Sequence, residues 1–383
     1  MKYDVAIIGA GPGGIFSAYE LTKLAPSLRV AVFEAGHSLE KRHCPIDGKK
    51  VKSCIGCKSC SIMSGFGGAG AFSDGKYNIT NDFGGTLYEY IGKQQALDLM
   101  HYVDEINMLY GGEGTKLYST AGSQFKKLCI QHKLKLLDAS VRHLGTDINY
   151  VVLENLYNDL KSKVDFYFDT PVQALEAKDG GFTVVCADAQ YECGKCIVSV
   201  GRSGSKWMEG VCRALDIPTK SNRVDLGVRV ELPAVVFSHL TDELYESKIV
   251  YRTEKFEDNV RTFCMNPHGI VVNENTNGIV TVNGHSYEDP ARQTENTNFA
   301  LLRAVPRFQR LRREHRPPFQ YARRRGHRPA LRRPRARPAQ HGQAHRRGSC
   351  HPDPRGDAGR PEPRAAQAHF RRHHRNDLRP RQD

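Results

Sequence analysis

Three glycines between an apolar run and a helical pattern constrain the fold of this chain more than any other feature. Residues 5–8 are continuously apolar, as in a parallel strand buried on both faces, and Gly9, Gly11 and Gly14 follow in G-x-G-x-x-G spacing. Apolar residues then recur at helical spacing, and a second apolar run occupies residues 30–33. This order of strand, turn, helix and strand predicts an α/β fold with a parallel sheet.

The residues of the turn have separate roles in a unit of this kind. Gly9 allows the tight turn, Gly11 lets the backbone approach a pyrophosphate, and Gly14 lets the helix pack closely on the strand. Pro12 suits the first helical turn, because its missing N–H costs nothing there. Glu34 ends the second strand, where a carboxylate can accept hydrogen bonds from ribose hydroxyls. The pattern therefore predicts a dinucleotide site, and the acid favours FAD or NAD over NADP.

Longer motifs resemble a known group of flavoproteins. The N-terminal unit, its "FEAG" end and the downstream Arg42 resemble the FAD-binding unit of glutathione-reductase-like flavoproteins. The run "RHCPIDGKKVKSCIGCKSCSIMSGFGGAGAFSDGK", with "VSVGRSGSKWM", "VDLGVRVELPA", "RTFCMNPHG", "VTVNGHSY" and "NTNFALL", resembles bacterial and archaeal FAD-dependent dehydrogenases, also called NAD(FAD)-utilising dehydrogenases. The resemblance covers residues 1–302. It implies an FAD-dependent oxidoreductase with NAD(P)H as a candidate electron donor and an unidentified small-molecule or protein electron partner, and it names no substrate.

The middle of the chain supports an α/β protein. Residues 164–201 predict four short strands with a hairpin at Asp179-Gly180-Gly181, and the last strand runs into Gly201. In flavoproteins of this class such a glycine lets the chain pass close to the dinucleotide; the alternative is a plain tight turn. Helical spacing predicts scaffold helices over about 94–110 and 147–161. The predicted cofactor-binding residues are Gly9, Ala10, Gly11, Pro12, Gly13, Gly14, Glu34, Arg42 and Gly201.

Four cysteines near the N-terminal unit form an incomplete metal-ligand pattern. Cys54, Cys57 and Cys60 stand in C-x-x-C-x-x-C spacing, and Cys44 is an upstream candidate for a fourth ligand. Zinc sites usually have two C-x-x-C pairs, and the Cys-Pro order here reverses that of bacterial ferredoxins. Three explanations stay open: a metal or iron–sulfur cluster, a redox-active dithiol beside the flavin, and plain thiols.

Residues 64–76 are too rich in glycine for the interior of a helix or strand. Their backbone N–H groups could cradle a phosphate or the carbonyl edge of an isoalloxazine, whereas the alternative is a mobile linker. The resemblance favours a loop on the flavin side. His143, His268 and His285 are candidates for proton transfer, although a structural role is open for each. We assign no catalytic base, because a flavin itself carries the hydride.

The composition changes abruptly at residue 303. Residues 303–383 hold twenty-four arginines, no lysine and six acidic residues, a net +18, so the +14 of the whole chain leaves −4 for residues 1–302. With eleven prolines and few large apolar side chains, this Arg/Pro-rich tail cannot bury enough surface to fold. One explanation is a disordered arm that binds phosphates, which makes a nucleic-acid-associated, RNA-modifying flavoprotein the competing function.

The other explanation, which we favour, is a shifted reading frame. Permitted codons for residues 322–338, read one base later, can spell a string that resembles the segment following "NFALL" in the dehydrogenase family. Flavoproteins of this class complete the FAD site with a C-terminal Gly-Asp segment, which has no counterpart here. On this explanation we expect weak FAD binding or none, and an inactive product. The predicted organisation is a three-layer, Rossmann-like FAD-binding domain over 1–205, part of a mixed second domain over 206–302, and a non-globular tail over 303–383.

The sequence also bears on location. Residues 1–3 lead into an apolar strand with no cleavage-site pattern, and no apolar run reaches the length of a membrane span. Eleven cysteines without a secretion signal favour reduced thiols over a disulfide framework. We therefore expect a cytoplasmic protein with no membrane partner.

Overall fold

The computed structural model describes residues 1–46, 49–51, 54–220, 224–276, 279–287 and 289–305. These residues fall within the unit Met1–Arg323, and the second unit, Arg324–Asp383, lies outside them, as does the predicted tail from residue 306 onward. The strands are β1 (Lys2–Ile8), β2 (Val30–Phe33), β3 (Lys76–Ile79), β4 (Leu117–Ser119), β5 (Leu134–Leu136), β6 (Ser140–His143), β7 (Asp165–Tyr167), β8 (Ala174–Lys178), β9 (Gly181–Val185), β10 (Gln190–Val198), β11 (Val224–Pro233), β12 (Ile249–Arg252), β13 (Asn259–Asn266), β14 (Ile270–Thr276), β15 (Ile279–His285) and β16 (Asn296–Val305). The helices are α1 (Pro12–Leu24), α2 (Leu87–Ile91), α3 (Lys93–Asn107), α4 (Phe125–Gln131), α5 (Gly145–Leu160), α6 (Ser205–Ala214) and α7 (Ser238–Leu244).

A six-stranded sheet of order β7-β2-β1-β10-β9-β8 organises the N-terminal part. Its first four strands are parallel, and β9 and β8 add an antiparallel edge. On one face Ile7 packs against Ile15 of α1 and Val152 of α5, and on the other Ile8 packs in a cluster with Val211 of α6. Helices therefore cover both faces, and the prediction of a three-layer α/β fold is confirmed.

Most of the predicted local elements are confirmed. Strand β2 has the predicted bounds, residues 164–201 contain four strands, and Gly180 makes the hairpin turn with φ +79°. Helices α3 and α5 occupy the predicted ranges, and α3 continues into a π-helical turn, Met108–Gly112. Strand β10 ends at Val198, two residues earlier than predicted, because the chain then turns across Gly9.

A second sheet has the order β11-β16-β13-β12-β5, and its neighbouring strands are antiparallel. Its core contains Leu244, Met265 and Phe299. Strand β5 joins this sheet although it lies within the range 1–205 that the sequence assigns to the first domain. Smaller sheets are formed by β3-β6-β4 and by the β14-β15 hairpin. Within the described ranges, every helix is too short or too polar to cross a membrane.

Candidate functional site

The glycine turn between β1 and α1 is shaped by backbone packing. A Cβ atom on Gly9 would collide with the carbonyl of Ser199, and one on Gly14 would collide with the carbonyl of Gly9. Gly11 differs, because its Cβ would lie 3.8 Å from the Cα of Gly68, an ordinary contact distance. Protein packing therefore requires glycine at positions 9 and 14, whereas at position 11 a Cβ atom would fit.

The N-terminus of α1 is suited to bind an anion. Within the described residues, no side chain caps this helix end and no acidic residue lies in its first turn. Pro12 and Gly13 are exposed there. The first amide groups of a helix have no partner within the helix, and the helix dipole places partial positive charge at the same end. A phosphate group has the charge and the acceptor oxygens that such an end binds.

The glycine-rich loop predicted to lie near the flavin is folded against this turn. The Gly67 N–H donates to the carbonyl of Ala10 at 2.8 Å, and a Cβ on Gly70 would lie 3.7 Å from Cγ of Pro12. Residues Gly68–Phe72 form a short 3-10 helix. The loop and the start of α1 therefore face each other through glycine and proline residues, with little side-chain volume between them.

Glu34 ties three segments of this site together. Its carboxylate, on a residue that is 7% exposed, accepts N–H groups from Ala10 at 2.7 Å, Gly36 at 2.8 Å and Gly65 at 2.9 Å. A carboxylate has about four acceptor positions, so three are taken by the protein backbone. Contact with a ribose hydroxyl stays a prediction.

Arg42 holds the glycine-rich loop from the other side. Its guanidinium donates to the carbonyls of Ser61 and Ile62, each at 2.9 Å, and to that of Phe66. It also lies over the ring of Phe72, 4.8 Å from the centroid. Burial lowers the pKa of Arg42 to about 10, against the opposing effect of the Glu34 carboxylate. In the structure Arg42 fixes the loop, and its predicted cofactor contact stays a prediction.

The remaining predicted cofactor residue, Gly201, lies at the edge of the site. It is exposed, has φ +62°, and no described atom lies within 4 Å of its would-be Cβ. Ser199 is the residue of this turn that contacts the glycine turn, since its carbonyl lies against Gly9 and its hydroxyl against Gly13. Sequence reasoning missed Ser199, for which a serine after an apolar strand was the only signal.

The four cysteines of the predicted metal pattern do not converge. Cys54 and Cys57 are exposed, whereas Cys44 and Cys60 are partly buried. Among the described residues, no three His, Cys, Asp or Glu side chains are grouped so that they could hold a metal ion. The metal and dithiol hypotheses for this segment stay predictions.

A cluster of buried charges, which we call the lysine cluster, lies where the glycine-rich loop meets the second sheet. Its members are Asp74, Lys76, Glu246, Lys248 and Cys264. Lys76 Nζ lies 2.9 Å from Asp74 Oδ2 and 2.7 Å from Glu246 Oε2. Lys248 Nζ lies 3.3 Å from Glu246 Oε1. Lys76 follows Gly70 by six positions in the chain, so their Cα atoms are at most about 20 Å apart.

Burial and charge act in opposite directions on these groups. Burial would lower the pKa of Lys76, but the carboxylates of Asp74 and Glu246 raise that pKa well above its ordinary value. Burial lowers the pKa of Lys248 to about 8, even though Glu246 partly offsets it. Burial also raises the pKa of the Cys264 thiol. The cluster thus holds one lysine whose pKa is raised and one whose pKa is lowered to about 8.

His143 is the predicted histidine that borders this cluster. It pairs with Lys76 across β3 and β6, and its Nε2 lies 2.6 Å from the hydroxyl of Tyr245 and 3.1 Å from that of Ser286. The two hydroxyls are 2.7 Å apart, so the three side chains form a closed hydrogen-bonded ring. His268 instead lies 2.9 Å from the carbonyl of Thr294. His285, on β15, is partly buried.

Comparison with known proteins gives weak similarities. No family model matches the chain. An uncharacterised protein of Clostridium beijerinckii is 25% identical over 317 residues; the match covers 80% of this chain and 52% of that protein, so the chain spans about half its length. Similar solved structures include glycine oxidase from Geobacillus kaustophilus (TM-score 0.39, 14% identity, 80% of this chain and 83% of that one) and NikD, an unusual amino acid oxidase (TM-score 0.39, 11% identity, 80% and 71%).

Proposed function

We propose that this chain is an FAD-dependent oxidoreductase that holds the diphosphate of FAD at the N-terminus of α1, and that a shifted frame over 303–383 would weaken its FAD binding and impair its activity. The observation that carries the proposal is the difference among the glycines of the turn. Gly9 and Gly14 are required by packing, whereas a Cβ atom on Gly11 would make only an ordinary contact with Gly68, beside the uncapped end of α1. A glycine with no packing reason, placed at an uncapped helix end, supports close approach of an anionic ligand.

The residues around the turn fit the rest of the cofactor. Glu34 lies at the end of β2, where the ribose of a dinucleotide is held in this kind of unit, and one of its acceptor positions is not used by the backbone amides. Bound FAD would supply hydride and electron transfer, which no side chain can supply. NAD(P)H, as the electron donor that the sequence resemblance implies, is part of the same proposal.

The lysine cluster is the part of the chain that we expect beside the reacting end of the cofactor. Residues 70–76 connect the loop segment beside Pro12 to this cluster. The cluster contains a buried ammonium group, that of Lys76, bonded to two carboxylates. The two carboxylates balance the charges of Lys76 and Lys248, so we expect the cluster to hold the glycine-rich loop against the second sheet beside the cofactor. We therefore assign Lys76 a positioning role.

Substitution of Gly11 tests the proposal. Gly11 has φ −76°, which suits alanine, so we expect Gly11→Ala to change Tm by less than about 2 °C. The new methyl group would occupy the approach to the helix amides, and affinity for added FAD should fall about ten-fold or more. Binding is measured by quenching of FAD fluorescence. Gly210→Ala, on the exposed side of α6 with no described atom within 4 Å of its would-be Cβ, is the matched control.

Competition experiments define the outcome further. If the diphosphate is the group recognised, ADP should displace FAD and riboflavin should not. Equal binding of riboflavin and FAD, or unchanged FAD affinity in Gly11→Ala, would show that the glycine turn is not the cofactor site.

A further inference from the structure

Arg229, on β11, is a partly buried cation without a carboxylate partner among the described residues. Its Nη1 donates to the side-chain oxygen of Asn298 at 2.5 Å, to that of Asn266 at 3.3 Å and to the carbonyl of Cys264 at 3.1 Å. Its Nη2 donates to the side-chain oxygen of Asn283 at 3.1 Å. All four acceptors are uncharged, so they hold the guanidinium in place without neutralising it.

Several hydrogen-bond donors of this site are unused among the described residues. Arg229 Nε has no hydrogen-bond partner there, and Nη2 has one acceptor, Asn283, for its two N–H groups. Nε and Nη2 form one edge of the planar guanidinium, whose parallel N–H groups match the two oxygens of a carboxylate. Asn298 Nδ2, on a fully buried residue bonded to Arg229, also lacks a hydrogen-bond partner within the described part of the chain. Buried donors of this kind are costly unless an acceptor binds them.

The local charge is also unbalanced. In the lysine cluster, two ammonium groups face two carboxylates, so Arg229 adds one positive charge that these groups do not cancel. Asn266 joins the two sites, because its side chain donates to Asp74 and accepts from Arg229. Burial raises the pKa of the nearby Cys264 thiol, so the thiol stays neutral and supplies no counter-charge. A bound anion would balance the charge of Arg229.

Arg229 of the second sheet packs directly against the backbone of β15 at Gly284. A Cβ at Gly284 would collide with the side-chain oxygens of Asn266 and Asn298 and would lie 2.6 Å from Arg229 Nη1. The guanidinium and its two asparagines therefore lie directly against the backbone of β15. Any side chain at position 284 would displace them.

We propose that Arg229 and Asn298 bind the carboxylate group of the substrate, which makes the substrate a small carboxylic acid. The oxidation or reduction of that acid rests on the proposed function, whereas the binding of its carboxylate does not. Arg229 would donate along its Nε and Nη2 edge, and Asn298 would donate through Nδ2.

Binding of simple carboxylates tests this site directly. Acetate, pyruvate and benzoate are titrated into the full chain by calorimetry and by thermal unfolding, first without and then with added FAD. We expect at least one carboxylate to raise Tm, and Arg229→Lys to weaken its binding by about ten-fold, because an ammonium group lacks the bidentate edge. Arg252→Lys, an exposed arginine of β12 paired with Glu257, is the matched control and should bind as the wild type does.

A second variant tests the proposal if Arg229→Lys fails to fold. Asn298→Asp has nearly the shape of the original side chain and places a carboxylate 2.5 Å from Nη1, so it should abolish binding of added carboxylate. Wild-type affinity in this variant would overturn the proposal. So would Tm shifts from chloride or sulfate equal to those from carboxylates at the same ionic strength, which would show only adventitious anion binding.

Titration without FAD and then with FAD shows whether Arg229 binds the carboxylate or the cofactor. If FAD abolishes carboxylate binding and Arg229→Lys weakens FAD instead, the guanidinium serves the cofactor and the proposal is wrong. If carboxylate binds but FAD does not, the proposal for Arg229 stands and the proposed cofactor is refuted.

Discussion

Lys248 shows how one buried side chain sets a pH dependence. Its side chain is 3% exposed, and its ammonium group lies 3.6 Å from the ring centre of Phe83 and 4.2 Å from that of Phe263, with Glu246 as its charged partner. The two rings and the single carboxylate compensate only part of the hydration that the ammonium group loses on burial. Burial therefore lowers the pKa of Lys248 to about 8.

This residue should make the folded state more stable as pH rises. Between pH 8 and the ordinary lysine pKa of 10.5, the unfolded chain binds more protons at this position than the folded chain does. The unfolding free energy of the wild type relative to Lys248→Met should therefore rise by about 3 kcal/mol over that range. Urea unfolding at a series of pH values measures the difference.

Lys206→Met, an exposed position on α6, controls for the general effect of losing a lysine. Its stability difference from the wild type should stay constant with pH. A constant difference for Lys248→Met as well would mean that the buried amine keeps its ordinary pKa.

At the scale of elements, Glu34 couples the end of β2 to the glycine turn and to the glycine-rich loop. Its carboxylate accepts amides from all three segments, and Arg42 donates to the loop carbonyl of Phe66 and to the carbonyls of Ser61 and Ile62 just before the loop. Positions 65 and 66 therefore depend on side chains that lie 24–31 residues earlier in the chain. The loop and the β-α-β unit form one hydrogen-bonded assembly.

Glu34→Gln should loosen this assembly. The glutamine NH₂ would face at least one backbone amide, so one acceptor contact is lost and two donors oppose each other. We expect a loss of about 1–3 kcal/mol in the free energy of unfolding, together with weaker binding of added FAD. Chemical denaturation compares this variant with Glu176→Gln, an exposed position on β8, which should change stability by less than about 0.5 kcal/mol. Equal stability of both variants would contradict the coupling.

The same elements show what sequence reasoning can reach. The β1-α1-β2 unit was predictable because its apolar runs, glycines and proline act within thirty-four residues. The lysine cluster was not, because Lys76 meets Glu246 only after β5 and β12 have paired across more than a hundred residues. Glu246 and Lys248 look like ordinary surface charges before β12. Arg42 and Glu34 were recognised, but their backbone partners in the glycine-rich loop depend on tertiary folding.

For the whole molecule, the contrast in charge between residues 1–302 and 303–383 leads to a prediction about truncation. A chain that ends at Val305 keeps every described strand and helix, so its Tm and its affinity for added FAD should match those of the full chain. The full chain should bind single-stranded RNA non-specifically through its arginines. That binding should weaken steeply between about 50 and 200 mM salt.

Electrophoretic mobility shifts at several salt concentrations compare the two chains. RNA binding that survives in the truncated chain would place the contact within residues 1–305. Salt-independent binding by the full chain would exclude a purely electrostatic arm.

The place of β16 in the second sheet has a consequence for biosynthesis. This strand lies between β11 and β13, and it pairs with β11 along ten residues. The ribosome makes it after every other strand of that sheet, so the nascent chain exposes two open strand edges until residue 305 has left the exit tunnel. Such edges can pair with other chains, and chaperones that shield them would act at this stage of translation.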